Sequence, residues 1–127
     1  MNSLYKERLL EIYSEKKNRG ELKDKTHEIV FKNPYCNDEI VIELKVDSDS
    51  GKIADAKFHG KACFVSAVSA EVLLDNVVGM SLEEVRNLTK DDLDKFLGVE
   101  INSTRAGCAI FPLEALKNIK EVKNGSA

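Results

Sequence analysis

Residues Glu39–Val46 constrain the fold of this chain more than any other stretch. The apolar residues at every second position are Ile40, Ile42, Leu44 and Val46. Successive side chains of a β-strand point to opposite faces of the sheet, so this spacing predicts a strand with one buried face. Such a strand needs partner strands beside it and a packing layer over its buried face.

Two more strands are predicted, one on each side of this stretch. Residues 28–32 end just before Pro34, which has no N–H to donate to a sheet. Residues 52–59 follow a turn rich in Asp, Ser and Gly at residues 47–51. The side chains expected to face the core from this third strand are Ala54, Ala56 and Phe58. Three consecutive strands with short connections predict an antiparallel meander.

Helical spacing flanks the predicted sheet on both sides. An N-terminal helix is predicted over residues 3–19, with Gly20 at its end. The later helices are predicted at residues 64–78, 81–87, 90–97 and 108–122. Pro112 is expected only near the first turn of the last helix, because a proline farther inside removes a hydrogen bond. The predicted fold class is α+β: a three-stranded antiparallel sheet packed by an N-terminal helix and a C-terminal set of helices. We expect a single domain over residues 1–127, with its core at about residues 3–122.

Composition narrows the functional classes. The chain has 127 residues, 43% of them hydrophobic and 32% charged, which is typical of a globular domain. Its net charge is −3 and no basic cluster stands out, so a nucleic-acid partner is not expected. It contains no apolar stretch of the roughly 18 residues that a membrane span needs, and its N-terminus lacks the apolar core of a signal peptide. A cytoplasmic, reducing location follows as the expectation.

The three cysteines, Cys36, Cys63 and Cys108, are the candidate functional residues. Their number is odd and none forms a C-x-x-C pair, so a disulfide framework and a zinc ribbon are not indicated. The alternative is that the three cysteines are unrelated buried thiols, and the number of cysteines alone does not decide between this and a common site. In the predicted meander, however, Cys63 follows the third strand and lies at the same end of the sheet as Cys36 and Asp38. We therefore expect a common site.

The local settings of these residues favour metal or sulfur chemistry. Cys63 and Cys108 are each predicted at the N-terminal edge of a helix, where the helix dipole favours the thiolate. Asp38 offers a fourth, oxygen ligand; the alternative is that it only structures its loop through an Asx-type turn. Three sulfurs and a carboxylate suit zinc or an iron–sulfur cluster. His59 lies near the same end of the sheet, but an exposed strand histidine without a role is the favoured interpretation.

Three sequence blocks carry a resemblance to a known family. Residues 33–38 (NPYCND), 58–69 (FHGKACFVSAVS) and 105–109 (RAGCA) occur in this order. They resemble the motifs N-P-x-C-G-D, F-x-G-x-x-C-x-x-S-x-A-S and R-x-x-C-A of the iron–sulfur cluster assembly scaffolds IscU, SufU and the N-terminal domain of NifU. The resemblance covers about residues 3–120 and implies the same α+β fold.

The resemblance also implies a function. By this likeness Cys36, Asp38, Cys63 and Cys108 bind a [2Fe–2S] cluster or Zn²⁺. The protein would accept sulfur from a cysteine desulfurase, bind iron, assemble the cluster and pass it to recipient apo iron–sulfur proteins, as a scaffold or carrier rather than an enzyme. A cluster that bridges two subunits would make a homo-oligomer.

Two alternatives stay open. The SufU type binds zinc and relays persulfide sulfur from the desulfurase, with Cys108 suggested as the sulfur acceptor. A small structural-zinc adaptor is the other, although the polar loop around Cys36 favours an accessible site.

Departures from the family motifs bear on this choice. Gly107 stands where IscU-type scaffolds have a histidine ligand, so the fourth ligand is open. Arg105 resembles the SufU type, whereas the roughly twenty-residue insertion of that type is missing between Cys63 and Cys108. The segment that IscU-type proteins present to a dedicated chaperone is missing too: residues 102–104 (NST) stand there.

Overall fold

The structure, a computed structural model, describes residues 3–33, 38–98 and 106–122. Cys36 and Arg105 lie outside the described residues, so what the sequence predicts for these two residues stays a prediction. The elements in chain order are α1 (Ser3–Glu15), β1 (His27–Lys32), β2 (Glu39–Val46), β3 (Ile53–Lys61), α2 (Phe64–Val77), α3 (Leu82–Arg86), α4 (Lys90–Leu97), α5 (Ala106–Lys117) and β4 (Lys120–Glu121).

The sheet has the strand order β3-β2-β1-β4, and all its pairs are antiparallel. The α+β class and the meander of β1, β2 and β3 are confirmed. The prediction of three strands is wrong, because β4 adds a fourth strand that pairs His27 with Glu121 and Glu28 with Lys120. Lys120 and Glu121, the residues of β4, are both charged and too few to show the alternation of a strand. The sequence therefore predicts that the last helix continues through them to residue 122. The observed α5 ends at Lys117.

One face of the sheet is buried under the helices. The alternating residues Ile40, Ile42 and Leu44 of β2 are at most 1% exposed. Their neighbours on β3 include Ala56 and Phe58, which are also buried. The prediction that Ala54 faces the core is wrong: a register shift between Lys45 and Val46 inserts an extra residue in β3, and Ala54 is exposed. A β-bulge of this kind leaves one residue outside the alternation.

Helix α2 forms the centre of the helical layer. It packs against α1, α4, α5 and β3. Ten of its 14 residues are buried, so it has no polar face like that of a surface helix. Because α2 starts three residues after β3 ends, its N-terminus lies at one end of the sheet. Within the described residues, no helix combines the length and the apolar character needed to cross a membrane.

The segment after α1 differs from its prediction. The helix was expected to run through residue 19, but it ends at Glu15, and Lys16 has a φ of 50°. Asn18 and Gly20 instead bind the free edge of β3: the Phe58 N–H donates to the Asn18 carbonyl, and the Gly20 N–H donates to the Phe58 carbonyl, each at 2.9 Å. The open edge of β3 provides these partners, and helical spacing in the sequence does not reveal them.

Candidate functional site

The predicted loop at residues 33–38 is closed at its base. The Asn33 N–H donates to the Asp38 carbonyl at 2.9 Å, where β1 ends and β2 begins. Asp38 is 7% exposed, so its carboxylate is turned into the protein rather than into solvent. Cys36 lies within the part of the loop that the structure does not describe.

Asp38 is bound to the start of α2. Its Oδ2 atom accepts a hydrogen bond from the Cys63 main-chain N–H at 3.1 Å. The meander predicts this proximity, and the structure brings the two residues together. Cys63 is the N-cap residue of α2, and its Sγ accepts from the Ser66 N–H at 3.4 Å. The first turn of α2 therefore holds both a candidate sulfur ligand and a candidate carboxylate ligand.

Ser66 connects the candidate ligands. It is completely buried, and its hydroxyl lies 3.2 Å from Asp38 Oδ2, 2.9 Å from the Cys108 carbonyl oxygen and 3.4 Å from Cys63 Sγ. Cys63 and Cys108 are both half-buried. Sequence reasoning gave Ser66 no role, although its position in the second block, three residues after Cys63, was a signal that could have found it.

Cys108 lies in the first turn of α5, as its third residue. Pro112 is the seventh residue of α5, so the prediction that it fits only near the first turn is wrong. Proline has no N–H, so it cannot donate the regular helical hydrogen bond to the carbonyl four residues earlier, that of Cys108. The Ser66 hydroxyl donates to this carbonyl, which explains how the helix accommodates the proline.

The chemistry of this donor set fits the expected cargo. The Cys63 sulfur, the Asp38 carboxylate and the Cys108 main-chain carbonyl all lie against the buried Ser66, and thiolates are preferred ligands of zinc and iron–sulfur clusters. Asp38 also lines a surface cleft of about 570 Å³, together with His59 and Lys61. Cys63 and Cys108 are only half-buried, and partly accessible sulfurs are suited to receiving and releasing a ligand, whereas a structural zinc site is closed.

A second cluster of metal-ligand types lies on the other face of the sheet. One ligand atom from each of Glu21, Glu43 and His59 lies within 4.8 Å of the others. Lys25, however, donates to Glu43 Oε2 at 3.1 Å and so occupies the position of a cation. Burial raises the pKa of Glu43, but the hydrogen bonds from the Leu22 N–H, Lys25 and His59 outweigh it and leave the pKa below its ordinary value. His59 is half-buried and 3.3 Å from Glu43, so the expectation of an exposed histidine without a role is corrected.

Two proteins with assigned functions are similar to this chain in sequence. The iron–sulfur cluster assembly scaffold protein IscU of Thermotoga maritima is 39% identical over 88 residues, 69% of this chain and 61% of that protein. This chain thus spans less than two thirds of that relative. The zinc-dependent sulfurtransferase SufU of Bacillus subtilis is 27% identical over 121 residues, 95% of this chain and 78% of that protein.

The fold has a close match among solved structures. A putative iron–sulfur cluster assembly scaffold for the SUF system from Fervidobacterium islandicum superposes with a TM-score of 0.71 and 22% identity. The match covers 91% of this chain and 93% of that one. At this identity the likeness supports the fold alone. The sequence model of the family described as NifU-like N terminal domain matches residues 4–123. Because that match covers nearly the whole chain, this protein belongs to the NifU-like N-terminal domain family, as the three blocks predict.

Proposed function

We propose that this protein is an iron–sulfur cluster assembly scaffold. Cys36, Cys63 and Cys108 hold iron through their thiolates, and Asp38 supplies an oxygen ligand. The observation that carries the proposal is the convergence of Asp38, Cys63 and Cys108 on one buried serine, at the end of the sheet where a surface cleft opens. A [2Fe–2S] cluster is the cargo of this site, and recipient apo iron–sulfur proteins take it up.

Sulfur arrives as a persulfide on a cysteine desulfurase, and Cys108 is the proposed acceptor. Its thiolate attacks the outer sulfur, the S–S bond of the desulfurase persulfide breaks, and the desulfurase cysteine leaves as a thiolate. This transfer gains and loses no electrons. Each transferred sulfur then takes up two electrons to become sulfide. For a [2Fe–2S]²⁺ cluster, two ferrous ions supply two of the four electrons, and an external thiol or protein reductant supplies the other two.

A zinc-dependent sulfur relay is the second candidate function. It is favoured by the alignment with the Bacillus subtilis protein, which covers 95% of this chain. In this case Zn²⁺ is bound by the same residues, and Cys108 carries the persulfide to a downstream protein. The two functions differ in the metal that the site retains. We further propose that the chain works in the cytoplasm as one domain over residues 1–127, without catalytic turnover of its own if it is a scaffold.

Anaerobic reconstitution separates the two functions. The protein is incubated with ferrous iron, cysteine, a cysteine desulfurase and dithiothreitol, and is then read by visible absorption and by iron, zinc and sulfide analysis. A scaffold develops charge-transfer bands with equal amounts of iron and sulfide. The bands are absent from Cys36→Ala, Cys63→Ala and Cys108→Ala.

The matched control is Asn76→Ala, which changes a residue near the C-terminal end of α2, opposite to Cys63. It should develop the same bands as the unmodified protein. Tightly held zinc, no visible absorption bands and a persulfide on Cys108 would contradict the scaffold function and support the zinc-dependent relay. Full colour in all three cysteine variants would refute both.

A further inference from the structure

We propose that Ser66 is a positioning residue of this site: its single hydroxyl sets the spacing between Cys63 and Cys108, and Pro112 makes this possible because it has no N–H to donate to the Cys108 carbonyl. This inference deepens the proposed function and rests on it for its biological purpose. The contacts themselves are between protein atoms and do not depend on a bound metal or cluster.

The first step of the argument is the proline. In an uninterrupted helix, the N–H of residue 112 would donate to the carbonyl of residue 108. Pro112 lacks this N–H, and its ring also crowds the same carbonyl. A carbonyl in that position needs another donor, because a buried polar group without a hydrogen bond costs free energy. The Ser66 hydroxyl, 2.9 Å away on the neighbouring helix, is that donor.

The second step is the set of contacts that the same residue makes on its other sides. The Ser66 N–H donates to Cys63 Sγ, and the Ser66 hydroxyl lies within 3.4 Å of the same sulfur. It also lies 3.2 Å from Asp38 Oδ2. A hydroxyl has one hydrogen and two acceptor lone pairs, so it can serve these neighbours only in a restricted set of orientations. Ser66 on α2 thereby contacts both α5 and the loop before β2, and helps to fix the positions of these three parts at the site.

Ser69 shows what an ordinary contact between the two helices looks like. It is as deeply buried as Ser66, one turn along α2, and its hydroxyl donates to the Ala109 carbonyl on α5. Within the described residues, that hydroxyl bonds to neither cysteine and not to Asp38. Ser69 joins α2 to α5 without touching a candidate ligand. Ser69→Ala is therefore the matched control for Ser66→Ala, because each variant removes one buried hydroxyl from the same interface.

The spacing of the two sulfurs can be measured without iron or zinc. Phenylarsine oxide condenses with two neighbouring thiols to give a dithioarsinite and one water. In a Cys36→Ser background, its affinity reports how well Cys63 and Cys108 are placed for a common ligand. We expect Ser66→Ala to weaken binding by about 10- to 100-fold, the usual cost of losing a residue that orients metal ligands, and Ser69→Ala to leave it nearly unchanged.

The role of Pro112 is tested by a double-mutant cycle on the unfolding of the metal-free protein. With Pro112→Ala, the new N–H can donate to the Cys108 carbonyl, so Ser66→Ala should lower the unfolding midpoint less than it does when Pro112 is present. An equal lowering in the two backgrounds would overturn the link to Pro112. Equal arsenical affinity in Ser66→Ala and Ser69→Ala, or no binding to the Cys36→Ser protein, would overturn the positioning role. Cluster reconstitution is measured separately. Its failure would refute the proposed function but would not decide the outcome of the arsenical binding or of the double-mutant cycle.

Discussion

The main-chain N–H of Cys63 donates a hydrogen bond to Oδ2 of Asp38 at 3.1 Å, across 25 residues of sequence. The bond joins the loop before β2 to the N-terminus of α2. An N-terminal helix end favours a negative charge, and the same oxygen is also within reach of the Ser66 hydroxyl. Asp38 thus has a structural role in the metal-free protein in addition to its proposed role as a ligand.

The first prediction separates these two roles of Asp38. Asp38→Ala removes the acceptor of the Cys63 N–H hydrogen bond and a polar neighbour of the Ser66 hydroxyl, and should lower the free energy of unfolding of the metal-free protein by about 1–3 kcal/mol. Asp38→Asn keeps an acceptor oxygen and should lower it less. Urea denaturation, followed by circular dichroism, measures both. Equal losses in the two variants would contradict the hydrogen-bonding role.

The ligand role has its own readout. If Asp38 is the labile oxygen ligand of a bound cluster, Asp38→Ala should retain its visible absorption longer than the unmodified protein after a chelator is added. Faster loss of absorption would contradict that role. The unfolding data for the same variant show whether lost stability explains the change.

The second prediction concerns Gly60, which lies in β3 close to the site. Its φ is 112°, and a Cβ atom there would lie within 2.4 Å of the Glu39 carbonyl oxygen. Gly60→Ala should therefore destabilise the protein by about 3 kcal/mol, since it adds a clash with the main chain to backbone strain. Because Glu39 precedes the buried part of β2 and follows Asp38, we expect the variant to disturb the Asp38–Cys63 contact as well.

Gly51→Ala is the control for that substitution. Gly51 also has a positive φ, of 73°, but a Cβ there meets no atom within 4 Å. Its cost should be about 1 kcal/mol, from the left-handed conformation alone. Thermal unfolding compares the two variants. If Gly60→Ala were no more harmful than Gly51→Ala, β2 and β3 would have to separate more easily than their register suggests.

The part of the site that local patterns determine was predictable. The alternation of Ile40, Ile42 and Leu44, with a turn at each end, predicts a meander, and a meander places Cys63 beside Asp38. The helix that begins at Phe64 was visible from its spacing, so the position of Cys63 at a helix N-terminus followed too. These features depend on neighbours within a few residues.

The remaining features depend on distant partners. The edge of β3 binds Asn18 and Gly20 only because the chain returns to it after α1, and nothing in the spacing of residues 3–19 shows this. The two residues of β4 are too few to show a period. The predicted position of Pro112, near the first turn of the last helix, considers only the hydrogen bond that a proline removes from a helix. In the structure the hydroxyl of Ser66, 46 positions earlier in the chain, donates to the carbonyl that Pro112 cannot reach with an N–H.

The last prediction concerns Glu71, a buried carboxyl on α2 away from the cysteines. Burial raises its pKa, and the hydrogen bonds that it accepts from Asn18 offset only part of this. A carboxyl with a raised pKa binds its proton more tightly in the folded state than in the unfolded state. Folding is therefore favoured by this group at low pH, and the advantage is lost as the pH rises from the unfolded pKa, near 4.5, through the folded pKa.

Glu71→Gln removes that dependence while keeping an oxygen that accepts from the Asn18 N–H. The variant and the unmodified protein should be equally stable at about pH 4, where the carboxyl is largely protonated in the folded protein. At pH 7 the variant should be the more stable, because the raised pKa makes ionisation of the carboxyl less favourable in the folded state than in the unfolded state. Glu114→Gln, which removes an exposed carboxylate from α5, controls for the change in net charge. Urea denaturation at a series of pH values gives the two curves. A difference that grows toward low pH would show that the hydrogen bonds from Asn18 outweigh the burial of Glu71.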